Sequence, residues 1–304
     1  MPSPVSRDQW IETMEPTLLE LFTAGLEDDT DWKKCWTIKE SDKRREEVLE
    51  YAKPDVVQET PEGAPYVTLR IEKVRTAAVV HTDFTGQIRI THQMMRDKQY
   101  DDMADQTWGL GEAVNRKMYE DAVQRFYDGF SSVTSPDSLS VFNTAHTLTG
   151  SSSTYSNRSS EALSDDAINN LRVKLMKTLN ENGKVTPYGT KSLQLIVPAP
   201  LRQLGERLTM KGQYVPGGAD FDVLVNDLEL VCLPLLAETT NATIRDAMWF
   251  LRDKKKAKNY HFEREAPKFA MYRDQDNDDV VVKVRCAYSF LWASPRGVAG
   301  STGA

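Results

Sequence analysis

Between Thr91 and Phe130 the chain runs without proline, and its apolar or small side chains recur every three or four positions: Met103, Thr107, Leu110, Val114, Met118, Ala122 and Phe126. That period marks one stripe of an α-helix. Charged residues (Asp101, Asp105, Glu112, Arg116, Glu120, Arg125) fill much of the remaining surface, and Gly129 stands where a C-terminal glycine commonly releases the chain. At about 1.5 Å per residue the helix would be roughly 50 Å long, the length of a spine. Gly109 and Gly111 fall inside it. Each glycine costs roughly 1 kcal/mol relative to alanine, so the pair predicts a bend or a close neighbour.

The same reading assigns the other elements. Residues 6–27 form an amphipathic helix with Trp10, Met14, Leu18, Leu21 and Phe22 on one side and Pro16 as a kink or restart. Its apolar face needs a partner, either in its own chain or in another subunit. From Thr30 to Ile90 the chain alternates between short strand patterns and charged or proline-rich stretches. DWKKCWTIKE is a weak strand, SDKRREEVLEYAK a charged short helix, and KPDVVQETPEGAP a connector. YVTLRIEKV places Val67, Leu69 and Ile71 on one strand face, and AAVVHTDF and QIRIT continue as strands with Gly86 at the turn. These sixty or so residues hold little core of their own and read as an arm reaching outward.

Residues 131–160 are loop-like, rich in serine and threonine, with Phe142 as a buried anchor. Beyond them, Ser164 or Asp165 caps a helix carrying Ile168, Leu171, Leu175 and Leu179. A buried strand (SLQLIV), a helix opened by proline (PAPLRQLGERLTMK) and further strands (LELVCLPLL, DAMWFLRD, NYHFERE) complete an α+β unit with a mixed or antiparallel sheet. From Val280 to Trp292 every even position is Val, Cys, Tyr, Phe or Trp. A strand that long needs a broad surface, and it is expected to return onto the spine helix and the base of the arm.

The chain has 304 residues and a formal charge of -7, too acidic for tight, sequence-independent binding to phosphate backbones. Cys35, Cys232 and Cys286 lack metal-ligand spacing and read as reduced thiols of a cytoplasmic setting. No signal-peptide core and no run of about eighteen apolar residues occurs, so no membrane segment is expected. The four histidines, His81, His92, His146 and His261, are scattered. Asp274, Asp276 and Asp278 imitate the start of a calcium loop, but Asp279 and Arg285 stand where glycine and glutamate are required. The lysine run DKKKAK (253–258) reads as a solvated turn, and no serine near His146 sits on a nucleophile elbow. No catalytic, cofactor or metal site is expected.

An N-terminal helix, an outward β-arm, a spine helix, an α+β unit and a returning C-terminal strand occur in an order that resembles the major capsid proteins of tailed bacteriophages, whose shell fold is shared with encapsulins. VFNTAHTLTG (141–150), MWFLRD (248–253) and VKVRCAYSFLWASPRGVAGS (282–301) look like the Mu-type major head subunit, although Ser294-Pro295-Arg296 departs from its tryptophan-containing ending. The resemblance implies an α+β shell fold with an N-terminal arm (1–30), an extended β-hairpin loop (31–90), a peripheral domain with the spine helix (91–160), an axial domain (161–279) and a C-terminal strand returning to the peripheral domain (280–304). It implies hexamers and pentamers of this chain closing an icosahedral shell around double-stranded DNA, held without sequence-specific contacts. Scaffolding, portal and cement proteins are the implied partners, and the virion is the implied location, after assembly in the host bacterial cytoplasm. Trp10, Leu18, Phe22, Trp36, Ile38, Val67, Leu69 and Ile71 are the expected subunit contacts, and Gly109 and Gly111 the expected hinge between procapsid and mature head. An encapsulin-like compartment or a phage tail or assembly protein is the alternative.

Overall fold

The computed structural model describes residues 7–52, 57, 59, 61–63, 65, 66, 68, 71–190, 192–209, 228–237, 246–274 and 276–303. Helix α1 (Arg7–Leu26) leads through a 3-10 turn (Asp31–Cys35) into strand β1 (Thr37–Glu40). Strands β2 (Arg45–Tyr51) and β3 (Lys73–Val80) pair as the arm, and the chain turns at His81 into β4 (Thr82–Ile90). Helices α2 (His92–Arg96) and α3 (Tyr100–Asp128) follow. The next segment carries only two-residue strands, β5 (His146–Thr147), β6 (Thr154–Tyr155) and β7 (Arg158–Ser159). Then come α4 (Asp165–Met176), β8 (Leu193–Val197), α5 (Arg202–Thr209), β9 (Leu228–Cys232) and β10 (Trp249–Asp253). A long hairpin of β11 (Asn259–Arg273) and β12 (Val280–Trp292) precedes β13 (Val298–Ser301).

Two sheets organise these elements. One has the order β1-β11-β12-β4, the other β7-β13-β10-β8-β9. β12 is central in the first, antiparallel to both neighbours, and its even residues from Val280 to Trp292 are all buried, as their alternation predicts. From Cys286 onward the odd residues are buried too, because the arm base covers the other face through Ala77, Val48 and Val79 beside Leu291 and Ala293. The aromatic end of β12 packs under α3. Trp36 lies 4.8 Å from the Phe290 ring, and Phe126 of α3 lies 5.2 Å from Trp292 in an edge-to-face contact. Phe142, the expected loop anchor, is fully buried against Phe250 and Trp292. The second sheet is covered by α4, whose Ile168, Leu171 and Leu175 pack on Leu195, Trp249 and Leu251. Ser164 caps that helix through the Ala167 N–H, as expected.

The spine is shorter than its pattern suggests. It is interrupted after α2, where Lys98 takes a left-handed conformation (φ 57°), so α3 has 29 residues and spans about 43 Å. Thr91 caps α2 by accepting from the Met94 N–H. α3 runs unbroken through both internal glycines. A Cβ on Gly111 would lie 2.2 Å from the Phe22 carbonyl oxygen, and one on Gly25 would lie 2.3 Å from the Trp108 carbonyl oxygen. The two glycines face each other's helix and let α1 and α3 cross in backbone contact, while Gly109 has nothing within 4 Å. Gly129 ends α3 with an ordinary helical φ of -60°, not by left-handed release; its missing side chain leaves room for the Phe142 ring.

Two local expectations are overturned. SDKRREEVLEYAK contains a strand instead of a helix, because β2 pairs with β3 in register Arg45↔Val80 and turns Glu46, Val48 and Glu50 inward. Tertiary pairing outweighs the helix propensity of its Glu, Lys and Arg residues. Gly86 is no turn; it lies inside β4 opposite Val284, and the Leu110 side chain of α3 packs over it. Pro16 leaves α1 continuous.

Candidate assembly surfaces

The residues expected at subunit contacts divide sharply. Leu18 and Phe22 are 1% and 2% exposed, covered by α3 and by Ile90, Val280, Val282 and Val284 of the first sheet. Trp36 is likewise buried beneath α3. These three are core residues of their own chain, which corrects the expectation that they stay uncovered until a neighbour binds. The amphipathic pattern predicted burial of this face, and the Gly25–Gly111 crossing supplies the partner within the chain. Ile38 and Ile71 are exposed. Trp10 lies in α1 with its side chain outside the described residues, and Val67 and Leu69 lie outside them altogether. The arm beyond the β2–β3 pairing also exposes Val57 and Tyr66, the latter 98% accessible.

The root of that arm is seated in a buried charge cluster with no obvious sequence signal. Arg296, in the link between β12 and β13, donates to Glu50 Oε1 of β2 (2.8 Å) and Glu181 Oε1 (2.6 Å), while its Nε donates to the Leu179 carbonyl (2.9 Å). Ser294 Oγ donates to the same Glu50 oxygen at 2.9 Å, and the Thr149 N–H donates to Glu181 Oε2 at 2.7 Å. From β3, Arg75 approaches Glu181 (3.5 Å) and donates to the Thr147 carbonyl (2.8 Å). Burial alone would raise the Glu181 carboxyl, but the Thr149 and Arg296 hydrogen bonds outweigh it and hold it below its ordinary range. One arginine thus fixes an arm strand to two other parts of the chain. The only available hint was a lone arginine following the apolar run of β12.

His81 marks the corner where β3 leaves the arm. Its Nε2 is 3.1 Å from Ser41 Oγ and its Nδ1 3.0 Å from Ser289 Oγ, and burial pushes its pKa down. Arg252 performs a similar joining task between the two sheets. It is buried on β10 and donates to Asn259 Oδ1 (2.9 Å), Gln194 Oε1 (2.7 Å) and Thr37 Oγ1 (3.2 Å).

Among the described residues the serine, histidine and aspartate groups assemble no nucleophilic site. Ser135, Asp137 and His146 do come together, but Ser135 Oγ donates to Asp137 instead of to the imidazole. His146 Nδ1 meets Asp137 Oδ2 at 2.7 Å and its Nε2 meets Asn157 Oδ1 at 3.1 Å, so neither ring nitrogen is left to serve a nucleophile. Burial would raise the Asp137 carboxyl, yet hydrogen bonds from His146 and Ser135 hold it down at about 2. Asn157 completes the joint by donating to the Val141, Pro295 and Val298 carbonyls. The acidic turn 274–279 closes the β11–β12 hairpin, with Asp274 accepting from Arg89 at 3.0 Å and Asp279 from the His92 N–H at 2.9 Å. Among the described residues no His, Cys, Asp and Glu cluster could hold a metal ion, and no helix is long and apolar enough to cross a membrane. The three cysteines are unpaired, and burial pushes the Cys35 thiol up to about 12.

A search of curated proteins by sequence gives no match. Similar folds occur among solved capsids. The mature capsid of bacteriophage PhiM1 matches with a TM-score of 0.57 at 12% identity, over 90% of this chain and 86% of that one. The procapsid of bacteriophage JBD30 gives 0.52 at 12% identity, over 96% and 74% of the two chains. A virus-like particle from Pyrococcus furiosus gives 0.54 at 10% identity, over 94% and 98%. These likenesses establish the α+β shell fold expected from the order of elements. The sequence model of a family described as phage capsid protein matches residues 74–301, from the inner strand of the arm to the end of β13. The chain therefore belongs to the phage capsid protein family and is a structural protein, not an enzyme.

Proposed function

We propose that this chain is the major head subunit of a tailed bacteriophage, closest to the Mu type, and assembles as hexamers and pentamers into an icosahedral shell enclosing double-stranded DNA. The observation that carries this reading is the arm: its root is fixed by buried ion pairs, while Val57, Tyr66 and Ile71 beyond it remain uncovered. Apolar surface held outward on a rigid base gains stability when a neighbouring copy buries it. Ile38 lies on the same side of the assembly problem, uncovered on an edge strand. The acidic charge suits a container that does not grip its cargo. A scaffolding protein, a portal and cement proteins complete the proposed particle, built in the host cytoplasm. Bending of α3 at Gly109 and Gly111 accompanies expansion from procapsid to mature head, with open space beside Gly109 and Gly111 set by the α1 contact. Identical curvature of α3 in both particle forms would remove that hinge.

The test is negative-stain imaging of the expressed chain with and without a candidate scaffold, followed by nuclease protection of purified particles. Closed shells of uniform size that protect double-stranded DNA support the reading. Tubes or rings would instead indicate a tail or assembly component. Shells that enclose protein and no nucleic acid would favour an encapsulin-like compartment, a reading kept because the Pyrococcus furiosus particle matches over nearly the whole of both chains.

A further inference from the structure

Beside the arm root lies a cleft of about 510 Å³, walled by Glu50 and Tyr51 of β2, by Tyr188 and by the turn between β10 and β11. Its charge is one-sided. Lys39, Lys254, Lys255, Lys256 and Lys258 all line it, whereas its carboxylates, Glu50 and Glu181, are already bound by Arg296. Three of the lysines have local partners: Lys39 over the Tyr260 ring (4.0 Å), Lys254 on Glu229 (3.0 Å) and Lys256 on the Pro187 carbonyl (2.8 Å). Asp253 fixes the turn's backbone by accepting from the Lys255 and Lys256 N–H groups.

The chain itself contains a segment of matching character. Between Pro54 and Leu69 the sequence holds Asp55, Glu59 and Glu62 and no lysine or arginine. Glu59, Glu62 and Tyr66 are exposed, and none of the described residues from 57 to 72 lines the cleft of its own subunit. We propose that the lysine-lined cleft at the arm root receives the acidic outer part of the arm, around Glu59, Glu62 and Tyr66, from a second copy of this chain. The two surfaces are different parts of one molecule, so the contact is head-to-tail, and it generates a ring when the rotation between copies closes. Opposite charge selects and orients the partner, and the aromatic walls formed by Tyr51, Tyr188 and Tyr260 take its apolar side chains. The inference rests on the shell-forming reading and specifies which surface of a neighbour holds the arm.

The experiment places a benzophenone photo-cross-linker at Tyr66 in full-length chain assembled from a mixture of isotopically light and heavy subunits. After irradiation, cross-linked peptides are identified by mass spectrometry. The expected product joins position 66 to the segment 254–260 or to Tyr188 in mixed light–heavy pairs. Cross-links confined to other surfaces, in particles that close normally, overturn the docking site and leave the shell-forming reading intact. Failure of the unmodified chain to form any particle overturns both. Charge reversal gives a second readout: Lys255→Glu with Lys258→Glu is expected to abolish assembly while circular dichroism and the unfolding midpoint stay unchanged. Adding Glu59→Lys with Glu62→Lys is expected to restore it. Normal assembly of the lysine double variant, or no recovery in the quadruple variant, argues against the contact.

Discussion

Replacing Gly111 by alanine tests the crossing of α1 on α3. The added Cβ would sit 2.2 Å from the Phe22 carbonyl oxygen and 3.0 Å from the Leu26 nitrogen, both backbone atoms that cannot turn aside. Restoring ordinary contact requires the helices to part by about 1 Å. Overpacking of this kind costs about 1–3 kcal/mol. Complete undocking of α1 would expose Leu18 and Phe22 at about 1.5–3 kcal/mol each, so a small parting of the helices is the lesser cost. Alanine returns at most about 1 kcal/mol through helix propensity. The expected net loss is therefore about 1 kcal/mol, and about 2 kcal/mol at the upper end. Gly109→Ala is the matched control, since nothing lies within 4 Å of its position, and it should gain about 0.5–1 kcal/mol. Urea unfolding of the dilute, unassembled subunit measures both, and amide hydrogen exchange in α1 should accelerate only in the Gly111 variant. A Gly111→Ala subunit as stable as the parent, or two variants shifting in the same direction, would refute the close-crossing argument.

Three further outcomes follow from buried polar groups. Burial pushes the pKa of His261 down to about 4, with the Lys33 charge adding to the effect. The unfolded chain therefore takes up a proton near pH 6.5 that the folded chain refuses until about pH 4, and stability should fall across that window by about 1.4 kcal/mol per pH unit. His261→Phe, which keeps an aromatic ring beside Phe290, should flatten the difference between urea midpoints at pH 7 and pH 5. Arg296→Met leaves Glu50 and Glu181 buried without their guanidinium and should cost about 3–5 kcal/mol. Proteolysis should then attack the arm root first; cleavage confined to other regions would mean that the cluster does not seat the arm. Arg252→Met removes the donor shared by Asn259, Gln194 and Thr37 and should cost about 1–3 kcal/mol for the acceptors left unpaired, read as a lower thermal midpoint.

Side-chain periodicity determined the helices and the main strand directly. Met103 to Phe126 could bury a common face only on a helix, and Val280 to Trp292 only on a strand, so both elements were legible before any contact was known. Family-like order and short motifs then supplied the shell fold, which periodicity alone would have left as one α+β arrangement among several.

Tertiary structure decided who covers whom. An amphipathic face announces that it will be buried, but not by which chain, and Leu18, Phe22 and Trp36 turned out to be covered within their own subunit while Ile38, Ile71 and Tyr66 did not. Local propensity also misread 45–51, where the gain from pairing with β3 and from placing Glu50 against Arg296 exceeds the few tenths of a kcal/mol per residue that favour a helix. Glu50, Arg75, Glu181 and Arg296 are distant in sequence and individually unremarkable. Their value arises only when folding removes water from around them, because a charge gains a strong partner in the interior and a weak one at the surface.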